Sequence, residues 1–142
     1  LGFLPGTLEQ KMAPWVMPIM SILKEYFNSK QIEGMMEEGV LEIAPLAYMR
    51  GRTFSRSFII ADEMQLSTPN QMKMLLTRIG DNSKLVVTGD LEQADRGSDN
   101  GLMEFLNLSE GLKSQRISLV KFNASDIVRH PVVEEVLKIY NN

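Results

Sequence analysis

Ser57-Phe58-Ile59-Ile60-Ala61-Asp62-Glu63 and, further on, Leu85-Val86-Val87-Thr88-Gly89-Asp90 decide how this chain folds. Each is a short, continuous apolar run that stops at an acid. A run that does not alternate suits a parallel strand covered on both faces, whereas a half-exposed antiparallel strand would alternate. Between the two lies Thr68-Pro69-Asn70-Gln71, which joins an N-cap hydroxyl, a proline at the first helical position and a capping-box glutamine. Met72, Leu75, Leu76 and Ile79 then recur at helical spacing until Gly80. Strand, helix, strand in this order predicts an α/β fold: an open, mainly parallel sheet with helices packed on it and right-handed crossovers.

Working outward, a helix is expected near residues 99–108, a strand near 117–122, and a last helix with Pro131 at its first position and Val132, Val133, Val136 and Ile139 as its apolar stripe. Toward the other end, Thr7 and Gln10 have capping-box spacing and should start a helix. Pro14 and Pro18 each remove a backbone donor, so that helix should be kinked or broken before Phe27. A second helix over 30–38 should end at Gly39, followed by a short strand over 40–43. Residues 44–57 contain Pro45, Gly51 and three arginines and read as a loop.

With 142 residues the chain is one domain's worth of material, and 44% hydrophobic with 23% charged residues is the balance of a packed soluble protein. No apolar run approaches the roughly 18 residues of a membrane span. The absence of cysteine excludes disulfides and thiolate metal sites and agrees with a reducing compartment, so a cytoplasmic setting is expected. Residues 1–7 have neither the charged nor the apolar region of a secretory signal, and the chain reads as cut from something longer. A net charge of −3 gives no overall attraction to nucleic acid, which leaves Arg50, Arg52 and Arg56 as a local basic candidate. The ten methionines read as flexible core filler.

In an open α/β sheet, ligands sit outside the carboxyl ends of the strands, and both polar clusters of this chain lie there. Asp62-Glu63 after an apolar strand is the Walker B arrangement, in which one acid serves Mg²⁺ and the next an attacking water. The same pair could be a turn or a helix cap. Thr88-Gly89-Asp90-Leu91-Glu92-Gln93 would bring further polar groups beside the first pair if the strands are neighbours, and its plain reading is a Gly-Asp turn. Two acidic strand ends separated by one well-capped helix together point to nucleotide hydrolysis.

Four blocks carry a wider likeness: Gly2-Phe3-Leu4-Pro5-Gly6, Glu42-Ile43-Ala44-Pro45-Leu46-Ala47-Tyr48-Met49-Arg50-Gly51-Arg52-Thr53, Gln71-Met72-Lys73-Met74-Leu75-Leu76-Thr77-Arg78 and Val128-Arg129-His130-Pro131. In this order the chain resembles PhoH-like ATPases nearly end to end. The resemblance implies a single, N-terminally truncated RecA-like P-loop NTPase domain over residues 1–142, related to the first domain of superfamily 1 helicases and using ATP and Mg²⁺. It implies Asp62 as the metal ligand, Glu63 as the residue that polarises water, and Asp90 and Gln93 as γ-phosphate sensors. Gln65 would link the acids to the following helix. Met64 and Leu66 depart from the family pattern, and no GxxxxGK[ST] phosphate loop occurs. Similar proteins carry that loop upstream, so this stretch alone is expected to be a poor ATPase.

The same resemblance implies a homo-oligomeric ring, for instance a hexamer, in which Arg129 could act on a neighbour's nucleotide as a finger in trans. The simpler reading of that stretch is a helix entry capped by His130. It also implies RNA or single-stranded nucleic acid as a partner for the loop bearing Arg50, Arg52 and Arg56, with Tyr48 and Phe54 as the nearby aromatics; solvated loop charge or phosphate contact across a subunit interface fits the three arginines equally well. Two other functions fit the residues. One is a metal-dependent nuclease built from Asp62, Glu63, Asp90 and Asp95; the other is a non-catalytic assembly module.

Overall fold

The computed structural model describes residues 8–93 and 99–141, with side chains described from Val16 onward. The block at residues 2–6, Thr7 and Asp95 lie outside the described residues. The chain divides into two compact units, Leu1–Ser109 and Glu110–Asn142.

In the first unit α1 covers Leu8–Leu23 and α2 covers Ser29–Glu37. The helix α1 runs unbroken through Pro14 and Pro18, so of the kink or break expected there the break does not occur: each proline deletes one donor from the ladder, and the helix continues around the loss. Asn28 caps α2 with a full capping box, accepting from the Gln31 amide at 2.9 Å while the Gln31 side chain accepts from the Asn28 amide. Gly39, at φ +73°, ends that helix in the left-handed conformation expected of it. Its amide donates to the Met36 carbonyl, and the Val40 and Leu41 amides both donate to Met35. Those bonds form a Schellman closure. They also explain why the strand expected over 40–43 is absent: two of its donors are already spent on the helix, and Val40 is left exposed.

A 3-10 turn over Leu46–Met49 interrupts the arginine-bearing loop. Next come β1 (Phe58–Ala61), α3 (Pro69–Leu76), β2 (Lys84–Val87) and α4 (Gly101–Leu108). The strands β1 and β2 pair in parallel with Phe58 opposite Lys84 and Ala61 opposite Val87. Thr68 and Gln71 close the expected capping box around Pro69. The helix ends sooner than expected, at Leu76, because Ile79 leaves the helical path to form an isolated parallel bridge with Phe54.

The core lies where α3 and α4 pack together and cover one face of the sheet. Met64, Met72, Leu75 and Leu102 are buried there, with Ala61, Leu85, Val87, Phe105 and Leu106 packed around them. Burial of each large side chain contributes on the order of 1.5–3 kcal/mol. The expectation that β1 is covered on both faces needs correcting: Phe58 and Ile60 are about two-thirds exposed, at 67% and 66%, because among the described residues no second layer packs on that side. Gly101 permits the close approach of the helices, since a Cβ there would sit 2.8 Å from Met72 Cβ and meet the Thr68 carbonyl.

The second unit contains a 3-10 turn over Ala124–Asp126 and α5 (Pro131–Tyr140). His130 caps α5, its Nδ1 accepting from the Val132 amide at 3.2 Å, and Pro131 takes the first helical position. The strand expected at 117–122 does not form. Ile117, Leu119, Val120 and Phe122 are all more than half exposed, and no described strand pairs with them. A β-run without a partner gains no ladder bonds. The sheet among the described residues therefore has two strands rather than the broader one expected. No described helix is long and apolar enough to cross a membrane.

Candidate functional site

Because β1 and β2 are parallel and in register, their carboxyl ends emerge side by side, and the pair after Ala61–Val87 is Asp62–Thr88. Two backbone bonds hold this edge together: the Thr88 amide donates to Ala61 at 2.9 Å, and the Met64 amide donates to the Thr88 carbonyl at 3.0 Å. After Asp62 the chain turns sharply at Glu63 into a 3-10 turn over Met64–Leu66. Glu63 makes that turn at φ +58°, a left-handed conformation that costs a non-glycine residue about 1–2 kcal/mol. Strain of this kind persists only where the surroundings impose it, and it gathers at functional positions.

The side chains at this edge form one hydrogen-bonded set. The Asp62 Oδ1 atom accepts from the Glu63 amide at 3.0 Å and from the Thr88 hydroxyl. Gln65, only 4% exposed, donates through Nε2 to Glu63 Oε2, while its Oε1 accepts from the Asp90 amide at 3.1 Å. Asp90 closes the far side, Oδ1 accepting from the Glu92 amide and Oδ2 from Gln93 Nε2, each at 2.9 Å. Gln93 ends a 3-10 turn over Leu91–Gln93 that this aspartate caps. The chain Glu63–Gln65–Asp90–Gln93 thus links the two strand ends through the Gln65 side chain and the Asp90 backbone amide, with Gln65 as a buried strut. Asp62, Glu63, Asp90 and Gln93 keep an exposed or half-exposed position.

Other candidate residues lie elsewhere. Arg56 and Lys84 line a shallow depression with Ser57, Phe58, Asn82 and Ser83, at the amino ends of the strands and so at the edge opposite the acids. Arg56 stands at φ +51°. Arg52 is engaged within the protein: its guanidinium grips Glu42 through two bonds of 2.7 and 2.8 Å and lies 4.7 Å from the centre of the Phe54 ring. The hydrogen bond from Arg52 holds the Glu42 carboxyl below the usual carboxylate range and in turn raises Arg52 above its ordinary value. Arg50 is exposed directly after the 3-10 turn. Arg129 is exposed in the second unit, ahead of His130.

Sequence reasoning passed over Thr88 as a partner of Asp62. The signal was available: aligning the two apolar runs residue for residue sets Asp62 opposite Thr88. The left-handed conformation of Glu63 had no such signal.

A profile of the family described as "PhoH-like protein" matches residues 1–141. The chain belongs to the PhoH-like family. Similar relatives include the PhoH-like protein of Bacillus subtilis, 43% identical over 143 residues, and that of Synechocystis, 42% identical over 142 residues. The Escherichia coli K12 protein PhoH is 39% identical over 145 residues. Each alignment takes in 99% of this chain but only 44%, 43% and 40% of the respective relative. This PhoH-like chain therefore spans less than half the length of the relatives it matches.

A divalent cation fits the acid edge of the PhoH-like chain in one way. Among the described residues no group of three or more acids or histidines is arranged to enclose a metal. Asp62 Oδ2, however, takes no hydrogen bond from a described residue, while Oδ1 is committed. One available carboxylate oxygen suits Mg²⁺, which keeps several of its waters and needs only one or two protein carboxylates.

Proposed function

We propose that this chain supplies the acidic, water-handling side of an ATP-hydrolysing site in a cytoplasmic PhoH-like NTPase with a RecA-like core. The observation that carries the reading is the meeting of Asp62, Glu63, Gln65, Asp90 and Gln93 at one sheet edge, in a single hydrogen-bonded set. Family membership supports it.

In this reading Asp62 would hold Mg²⁺ through its available oxygen, and the ion when bound would supply positive charge toward the nucleotide phosphates. Glu63 orients a water and draws on its proton, its carboxylate aimed by the strained turn beneath it and by Gln65. Gln93, held by Asp90, meets the terminal phosphate, so its position is passed to Glu63 through Gln65. The phosphate cradle itself lies outside these residues, since no GxxxxGK[ST] occurs in the chain. A ring of subunits, a trans role for Arg129 and contact with RNA or single-stranded nucleic acid through Arg50 and Arg56 belong to the same proposal. The engagement of Arg52 by Glu42 makes it the weakest of the three arginines for that contact.

The test is Glu63→Gln in the full-length protein. Hydrolysis of Mg-ATP should fall by about a hundredfold or more while nucleotide still binds, the usual scale for a group that handles the proton. Unchanged turnover would remove Glu63 from the chemistry.

A further inference from the structure

We propose that Thr88 is a positioning residue that decides which oxygen of Asp62 is offered to the metal. This rests on the reading of Asp62 as the Mg²⁺ ligand and adds a residue to it.

The backbone of Thr88 is clamped on both sides, by its amide bond to Ala61 and by the Met64 amide on its carbonyl. Its hydroxyl is therefore presented from a fixed platform, one register step beyond Ala61–Val87. A threonine hydroxyl has one proton to give, and here it goes to Asp62 Oδ1. The Glu63 amide donates to the same atom. With two donors on Oδ1, that oxygen is tied and the carboxylate cannot rotate without losing both bonds. Oδ2 is the atom that takes no hydrogen bond from a described residue.

This arrangement favours one-oxygen coordination and keeps the carboxylate in place before the ion arrives. The preceding residues of β2 are Leu85, Val86 and Val87, so a further valine would continue the strand equally well in shape. The difference between threonine and valine at this position is the hydroxyl, and its partner is the metal-ligand candidate. Outer partners of metal ligands commonly change affinity by about 10–100-fold when removed.

The experiment is a titration of the full-length protein with Mn²⁺ alone, following free Mn²⁺ by electron paramagnetic resonance, with circular dichroism to check that each variant is folded. Thr88→Val should weaken binding about tenfold, Thr88→Ser should stay within about twofold of wild type because it keeps the hydroxyl, and Asp62→Asn should abolish binding. Wild-type affinity in Thr88→Val together with loss in Asp62→Asn would overturn the role of Thr88 and leave the metal reading standing. Equal weakening in the Ser and Val variants would also overturn it, since the hydroxyl would not be the cause. Binding that survives Asp62→Asn, or no binding by the full-length wild-type protein, would overturn the metal reading and the Thr88 role with it.

Discussion

Replacing Gly101 by alanine adds one methyl group where α4 meets the start of α3. An ideal Cβ at that position lies 2.8 Å from both Met72 Cβ and the Thr68 carbonyl carbon, and closer still to the Thr68 oxygen. Carbon atoms in contact prefer about 3.5–4.0 Å, so α4 must retreat by roughly 1 Å. The obstacle cannot swing aside, because two of the three atoms are backbone of the N-cap whose capping box starts α3. Overpacking of this kind costs about 1–3 kcal/mol. Alanine returns at most about 1 kcal/mol of helix propensity. The expected result is a loss of about 1–2 kcal/mol, read as a lower urea midpoint with an unchanged slope. Gly34→Ala is the matched comparison. It sits inside α2 with no heavy atom within 4 Å of the added carbon, so it should stabilise the same unit by up to about 1 kcal/mol. If both substitutions moved the midpoint in the same direction, the close approach at Gly101 would not be what limits the packing. The retreat of α4 should also reach the acid edge, because the Gly101 amide donates to the Ser67 carbonyl at 2.8 Å, just past the turn that carries Gln65.

Glu42→Gln should cost about 0.2–1 kcal/mol at neutral pH, the range for an exposed ion pair, and less in high salt. The Glu42 carboxyl titrates lower in the folded chain, so its contribution is present above the ordinary carboxylate range and fades as the pH falls through the folded value. Urea midpoints of wild type and variant should therefore converge in acid, and a constant gap down to low pH would contradict the assignment. For nucleic acid, Arg50→Ala and Arg56→Ala in the full-length protein should each reduce the salt dependence of single-strand binding by about one counterion unit, while Arg52→Ala leaves the slope nearly unchanged. Equal slopes in all three would remove the loop from the interface. Mixing Arg129→Ala with Glu63→Gln subunits should restore ATP hydrolysis if the arginine acts across a subunit boundary, and no recovery would argue for the helix-entry role alone.

The βαβ unit at the centre of the chain was legible because its signals are local. Apolar runs at 58–61 and 85–87, the Thr68–Gln71 capping box and Pro131 behind a cap all depend on residues within one turn of each other, and each formed where it was expected. The acid clusters were legible as types and as strand ends for the same reason. Two expected strands failed for want of a partner, whereas β1 and β2 found each other across the intervening helix. Residues 40–43 and 117–122 have strand-like composition but no described strand to pair with, and the donors of 40 and 41 were taken by a helix end.

Sequence alone determined the order of strand, helix and strand, the family, and which acids stand at the strand ends, because these follow from residue type and short spacing. Only the tertiary structure decided that Thr88 holds Asp62, that Gln65 is buried between Glu63 and Asp90, that Glu63 takes a left-handed turn, and that Arg52 belongs to Glu42. The physical reason is that a polar side chain satisfies its hydrogen bonds with whatever the fold brings within about 3 Å. Strand register and helix packing, set by residues far away in the chain, choose that neighbour.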